Sequence, residues 1–168
     1  MRDAQGFDEF YRTTAVRTLR YAVAAIGDRG EAQDAVQEAY ARAWRRWETV
    51  SAHPAPEAWV RLTVSRLATD RWRRMLGLRT ALRRSGPPLT AAPPGENTVL
   101  LVTALRKLPH HQRQALALHY LYDLSIEQIA AETNAPPGTV KSWLSRGRER
   151  LAADLAGAEM ADLEVHDA

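Results

Sequence analysis

The chain has 168 residues, 45% hydrophobic and 26% charged, which suits one domain or two small ones with a buried core. It holds no cysteine, which excludes disulfides and thiolate metal sites. No apolar run approaches the roughly 18 residues of a membrane span, and MRDAQGFDEFYRTT lacks the layout of a secretory signal, so a cytoplasmic protein without membrane insertion is expected.

In the N-terminal part, Phe7, Phe10, Tyr11, Leu19, Ala22, Val23 and Ile26 recur at helical spacing, and GDRG ends the run. A second stripe, Ala32, Ala35, Val36, Ala39, Tyr40, Ala43, Trp44 and Trp47, advances mostly in steps of three and four. ETVSAHPAPE reads as a proline-containing loop, with Pro56 placed to open a third helix. In that helix Val60, Thr63, Val64 and Leu67 form the inward stripe, with Trp59 at its edge. Three such helices make a small bundle that needs its aromatics as core.

RRSGPPLTAAPPGEN, residues 83–97, carries four prolines and two glycines and reads as an extended linker. Beyond it, TVLLVTALRKLP is a helix stopped by Pro109, and HHQRQALALHYLYDL is another. Ser125, three residues before Gln128, has the spacing of a capping box and marks a helix start. Asn134, Ala135 and Pro136 form a tight break, and Pro137 suits a first helical position. Helix, short turn, helix is the spacing of a helix-turn-helix. The expectation is therefore an all-α chain of two small helical domains joined by a Pro/Gly-rich linker.

The net charge is only +3, but 21 of the 23 basic residues are arginines, clustered in RAWRRW, DRWRRMLGLRTALRR and SRGRER. In the helix from Pro137, Val140, Leu144, Gly147 and Leu151 share one stripe, while Gly138, Ser142, Ser145, Arg146 and Glu149 lie opposite. Thr139, Lys141, Arg148 and Arg150 occupy the flanks. Small and basic residues on an outward face suit a major groove, where Ser142 and Ser145 could bond base edges or phosphates and Arg146 a guanine edge. Ser125 and the first-turn amides of the preceding helix could hold a phosphate.

LSIEQIAAETNAPPGTVKSWLSRGRERL resembles the promoter-reading helix-turn-helix of extracytoplasmic-function RNA polymerase sigma factors, through Leu124, Ser125, Ile129 and Ala130 in its first helix. Pro136, Gly138, Thr139, Val140, Lys141, Ser142, Leu144, Arg146 and Arg148 match its turn and second helix. AQDAVQEAYARAWRRW is similar to the polymerase-docking helix of that family, and EAWVRLTVSRLATDRWRR to its promoter-opening helix through Trp59, Asp70 and Arg73. Trp143 stands where the family commonly has arginine, Asn134 where it has glycine, and Arg66 where it often has asparagine. The arginine and alanine bias is that of a GC-rich genome, such as an actinobacterial one.

The resemblance implies a dissociable specificity subunit of RNA polymerase, without catalysis, cofactor or metal. Residues 5–78 would be region 2, 79–97 a flexible linker, 98–155 region 4 and 156–168 an acidic tail. Asp34, Gln37 and Glu38 would dock on core polymerase. Arg66, Asp70 and Arg73 would line a pocket for the −10 element, with Arg74 and Arg61 holding its backbone. Ser125, Gly138, Thr139, Lys141, Ser142, Ser145, Arg146 and Arg148 would meet the −35 element. Promoter DNA and an anti-sigma factor complete the implied partners. Two rival readings are a helix-turn-helix repressor with an N-terminal dimerisation bundle, and a helical interaction protein that binds no DNA.

Overall fold

The computed structural model describes residues 3–77 and 95–166, with side chains over 3–74 and 95–161. Every regular element among them is helical: α1 Ala4–Ile26, α2 Arg29–Arg45, α3 Trp47–Ser51, α4 Pro56–Gly77, α5 Glu96–Arg106, α6 His110–Tyr122, α7 Ile126–Thr133 and α8 Pro137–His166. They fall into two compact units, Met1–Val23 with Asp28–Thr90 and Ala24–Gly27 with Ala91–Ala168.

Gly27 closes α1 at φ +79°, a conformation that favours glycine. In the first unit, the Asp28 carboxylate caps α2 by accepting from the Glu31 amide at 2.9 Å. Ala32, Ala35, Ala39 and Ala43 are fully buried on α2, so its backbone packs closely against α4, where Val60 and Val64 are equally buried. Phe7, Phe10, Trp44 and Trp47 form one cluster: Trp47 meets Phe7 and Phe10 at 5.2 Å each, and Phe7 meets Trp44 at 5.1 Å. Such offset and edge contacts add stabilisation beyond the buried area.

Two expectations for this unit need correction. The buried face of α1 carries Thr14, Thr18, Tyr21 and Ala22, whereas Tyr11 is 49% exposed. Thr14 and Thr18 return their hydroxyls to carbonyls of their own helix, and both meet the Tyr40 hydroxyl, at 2.8 and 3.0 Å. Threonines satisfied this way can be buried, and apolar periodicity does not register them. The loop from Glu48 to Glu57 is also shorter than expected, because Trp47–Ser51 is helical and buries Trp47 and Val50. The unit therefore has four helices among the described residues rather than three.

The second unit packs Ala104, Leu105, Leu108, Leu116, Leu118, Ile129, Val140 and Leu144 into its core. Arg113 supports it by donating to the carbonyls of Arg106 and Leu108, both at 3.2 Å, which satisfies the end of α5. A Cβ on Gly147 would stand 2.9 Å from Leu116 Cδ1, so glycine permits the close approach of α8 to α6. The segment expected as an acidic tail does not separate: α8 runs on through residues 156–166. Most of the expected linker lies outside the described residues; Gly95 already caps α5.

Candidate nucleic-acid interface

The turn before α8 is built as its residues dictate. Ser125 accepts from the Gln128 amide at 3.1 Å, and the Gln128 side chain accepts from the Ser125 amide at 2.9 Å, completing the capping box. Asn134 ends α7 in the left-handed conformation at φ 54°, which asparagine tolerates better than most residues, and Pro137 opens α8. Asp123 takes the same conformation at φ 56° and turns the chain from α6 toward Ser125.

On α8, Val140, Leu144 and Gly147 are buried, while Gly138, Lys141, Ser142, Ser145, Arg146 and Arg148 are exposed and Thr139 is half-buried. The expected reading face is thus presented to solvent with small residues at its start and cations farther along. Arg146 makes no ion pair or hydrogen bond among the described residues. Arg148 is held: its Nε donates to the Tyr120 hydroxyl at 2.7 Å, and its guanidinium lies 5.5 Å from the centre of that ring. Trp143 lies flat on His111, with centroids 4.8 Å apart and planes 7° from parallel. The neighbouring His110 has its pKa lowered to about 4, first by burial and then by the charge of Arg113 and by His111.

On the first unit, Asp34 and Gln37 are exposed and Glu38 is half-buried. Asp34 stands 3.8 Å from Arg71, whose other nitrogen donates to the Glu31 carbonyl at 3.0 Å. Glu38 accepts from Arg42 at 2.7 Å and Arg45 at 3.3 Å. The Arg42 hydrogen bond is the first cause of a Glu38 pKa below the usual carboxylate range. Residues 38, 42 and 45 form one stripe of α2, and 59, 63, 66, 70 and 73 one stripe of α4 in steps of four and three. Between the two stripes lies a cavity of about 550 Å³ lined by Glu38, Arg42, Arg45, Arg46, Trp59, Thr63 and Arg66.

Arg66 is therefore in the cavity, and exposed Asp70 and Arg73 continue its stripe, with exposed Arg74 beside them. Arg61 is not on this side. Glu57 binds Arg17 and Ser65 meets the Tyr21 hydroxyl, so the 57–61–65 stripe packs on α1, and Arg61 is 5% exposed. A guanidinium held inside the unit does not serve a DNA backbone, and Arg61 leaves the set. Sequence reasoning missed Arg42, Arg45 and Arg46. Their signal was the RAWRRW cluster read at steps of three and four from Glu38. It also missed Tyr120, for which no sequence signal stands out.

Known families account for this arrangement. The model of sigma-70 region 2 matches residues 10–75, and that of sigma-70 region 4 matches residues 98–151. The RNA polymerase sigma-E factor of Streptomyces coelicolor is 31% identical over 156 residues, 92% of this chain and 88% of the relative. The ECF RNA polymerase sigma factor SigL of Mycobacterium tuberculosis is 32% identical over 145 residues, 80% of each chain. Among solved structures, the sigma factor RpoE of Bartonella quintana, crystallised in complex with the anti-sigma factor NepR, shares the fold. It matches at a TM-score of 0.73 and 22% identity over 91% of this chain and 98% of that one. With both regions present in order and with relatives matched along most of their length, the chain belongs to the sigma-70 family of RNA polymerase sigma factors, in the extracytoplasmic-function group.

Proposed function

We propose that this sigma factor binds core RNA polymerase through Asp34, Gln37 and Glu38 and reads promoters with two separate surfaces. Residues 5–78 act on the −10 element, through the cavity at Arg66 and through Asp70, Arg73 and Arg74. Residues 98–155 act on the −35 element, through Ser125, Gly138, Thr139, Lys141, Ser142, Ser145, Arg146 and Arg148. Ser125 uses its oxygen lone pair on its own helix cap, which leaves its hydroxyl hydrogen for a phosphate at the positive end of α7. Gly138, Ser142 and Ser145 let α8 sit deep in the groove while Arg146 reaches a base edge.

The chain supplies specificity to the polymerase's chemistry and performs none itself. It works where the polymerase and chromosome are, in the cytoplasm. An anti-sigma factor, of the kind seated on the Bartonella quintana protein, is a third proposed partner.

The observation that carries this reading is the joint presence of regions 2 and 4, each with its exposed basic face on a folded helical unit. Purified core polymerase plus this chain should initiate selectively from a subset of a random promoter library. A chain that forms no complex with core and adds no selective initiation would refute the reading. Tight duplex binding without core would favour the repressor instead.

A further inference from the structure

The two flanks of α8 beside its DNA-reading face carry charge unequally. Lys141 and Arg148 lie on one flank. Thr139, Trp143 and Arg150 lie on the other, with Arg150 about 10 Å farther along the rod than Trp143. The major groove is about 12 Å wide and a helix with its side chains about 10–12 Å, so a phosphate rim runs along each flank. At the level of Trp143, α8 offers that rim an indole where the opposite flank offers cations. The neighbouring helix fills the place. His111 of α6 is exposed and lies flat on the half-buried Trp143, with centroids 4.8 Å apart and planes 7° from parallel. Stacking occupies one face of the imidazole and leaves both nitrogens at the ring edge. Neither makes a hydrogen bond or ion pair among the described residues. An indole face attracts a cation, so the stack holds when the ring is charged.

We propose that His111, held on the flank of α8 by Trp143, is a phosphate-binding residue of the −35 surface, and that it makes promoter binding tighten as pH falls. The inference rests on the reading of residues 98–155 as the −35 surface. A neutral imidazole has one N–H donor, whereas the charged ring has two and a full positive charge, which makes it the stronger phosphate ligand. Histidine is the side chain whose charge changes between about pH 5 and 8. The other ionisable groups nearest His111 leave that range to it. On α6 they are His110, 5.5 Å away between ring centres, and Arg113; on α8 they are Arg146 and Arg150. His110, with its pKa lowered to about 4, is neutral above about pH 6, and the arginines stay charged throughout. The cation on this flank is therefore gained as pH falls and lost as it rises.

The test is fluorescence anisotropy of a labelled upstream promoter duplex with holoenzyme assembled from core polymerase and the full chain. It runs from about pH 6 to about pH 8, with melting curves of each variant as a control for folding. Affinities are compared between variants at each pH, so titration of the polymerase cancels. Relative to His111→Gln, wild-type should bind roughly two- to fivefold tighter at the acid end and equally at the alkaline end. Its salt slope at the acid end should be steeper by about 1. His111→Arg should bind tighter than His111→Gln at both ends. Trp143→Leu, which removes the platform, should lose most of the gain at the acid end. A scan of single methylphosphonate substitutions in the duplex should find one phosphate whose neutralisation abolishes that gain. Equal affinity of wild-type and His111→Gln at the acid end overturns the inference and leaves the sigma-factor reading standing. So does a gain that survives in folded Trp143→Leu, or one that no single methylphosphonate removes. A wild-type holoenzyme with no preference for promoter duplex removes both.

Discussion

Removing a single oxygen, in Tyr120→Phe, should weaken binding to the upstream promoter duplex without changing how that binding responds to salt. The Nε of Arg148 donates to the Tyr120 hydroxyl at 2.7 Å, which leaves four Nη hydrogens for a phosphate. Holding a long side chain ready saves roughly 0.5–1.5 kcal/mol of ordering on binding. Tyr120 is 62% exposed, so the lower part of that range applies, about 0.5–1 kcal/mol, or roughly two- to fivefold in affinity. The number of cations at the DNA is unchanged, so the slope of log affinity against log salt should stay the same.

Arg148→Ala removes a cation and should make that slope shallower by about 1. The assay is fluorescence anisotropy of a labelled duplex with holoenzyme at several salt concentrations, with melting curves of each variant as a control for folding. The double variant is decisive. If Tyr120 acts only by positioning Arg148, Tyr120→Phe should have no further effect in the Arg148→Ala background. A full two- to fivefold loss in that background would refute the reasoning, as would an unchanged slope in Arg148→Ala.

Three other outcomes follow from the same geometry. Arg146→Ala should weaken discrimination among upstream sequences by about 1–3 kcal/mol, read by competition between matched and mismatched duplexes. Asp34→Ala combined with Gln37→Ala should lower affinity for core polymerase in a pull-down titration while the melting temperature holds, since the contact of Asp34 with Arg71 is loose and exposed. His110 has a folded-state pKa of about 4, below its unfolded value near 6.5. The unfolded chain therefore binds the proton first, and stability should fall as pH drops from about 6.5 toward 4. His110→Gln should flatten that part of the pH–melting curve, and an equal slope in the variant would exclude His110 as its cause.

The second unit was legible because its punctuation is local. A capping box, a left-handed asparagine and two prolines fix where α7 begins and ends and where α8 begins, and the Val140–Leu144–Gly147 stripe fixes which side is buried. The first unit was less so. Its α1 interior is built on Thr14, Thr18 and Tyr21, whose burial depends on hydrogen bonds to Tyr40 and Ser65 from other helices. Apolar periodicity therefore drew the stripe through Tyr11 and Val23 instead. Arg61 misled for a related reason. A charged residue in an arginine-rich helix reads as surface, and only the pairing of its neighbours Glu57 and Ser65 with α1 reveals the face it occupies. The cavity needed two helices in register, since neither the 38–42–45 stripe nor the 59–63–66 stripe implies a recess alone.

The acidic end of the chain invites the idea that it screens the DNA-reading face, but the continuity of α8 argues against this within one molecule. Helix rise places Glu159 about 20 Å along the rod from Arg146. Across that distance in water a pair of unit charges interacts by only about 0.2 kcal/mol, and salt with a Debye length near 8 Å removes most of it. Glu149 is another matter: it is exposed and lies three residues from Arg146, hence about 5–6 Å away on the same face. Glu159→Gln should thus leave duplex affinity within about 1.5-fold of wild-type, whereas Glu149→Gln should tighten it measurably and most at low salt. A several-fold gain from Glu159→Gln with none from Glu149→Gln would mean that the far end of α8 reaches the DNA-reading face by a route the straight helix does not provide.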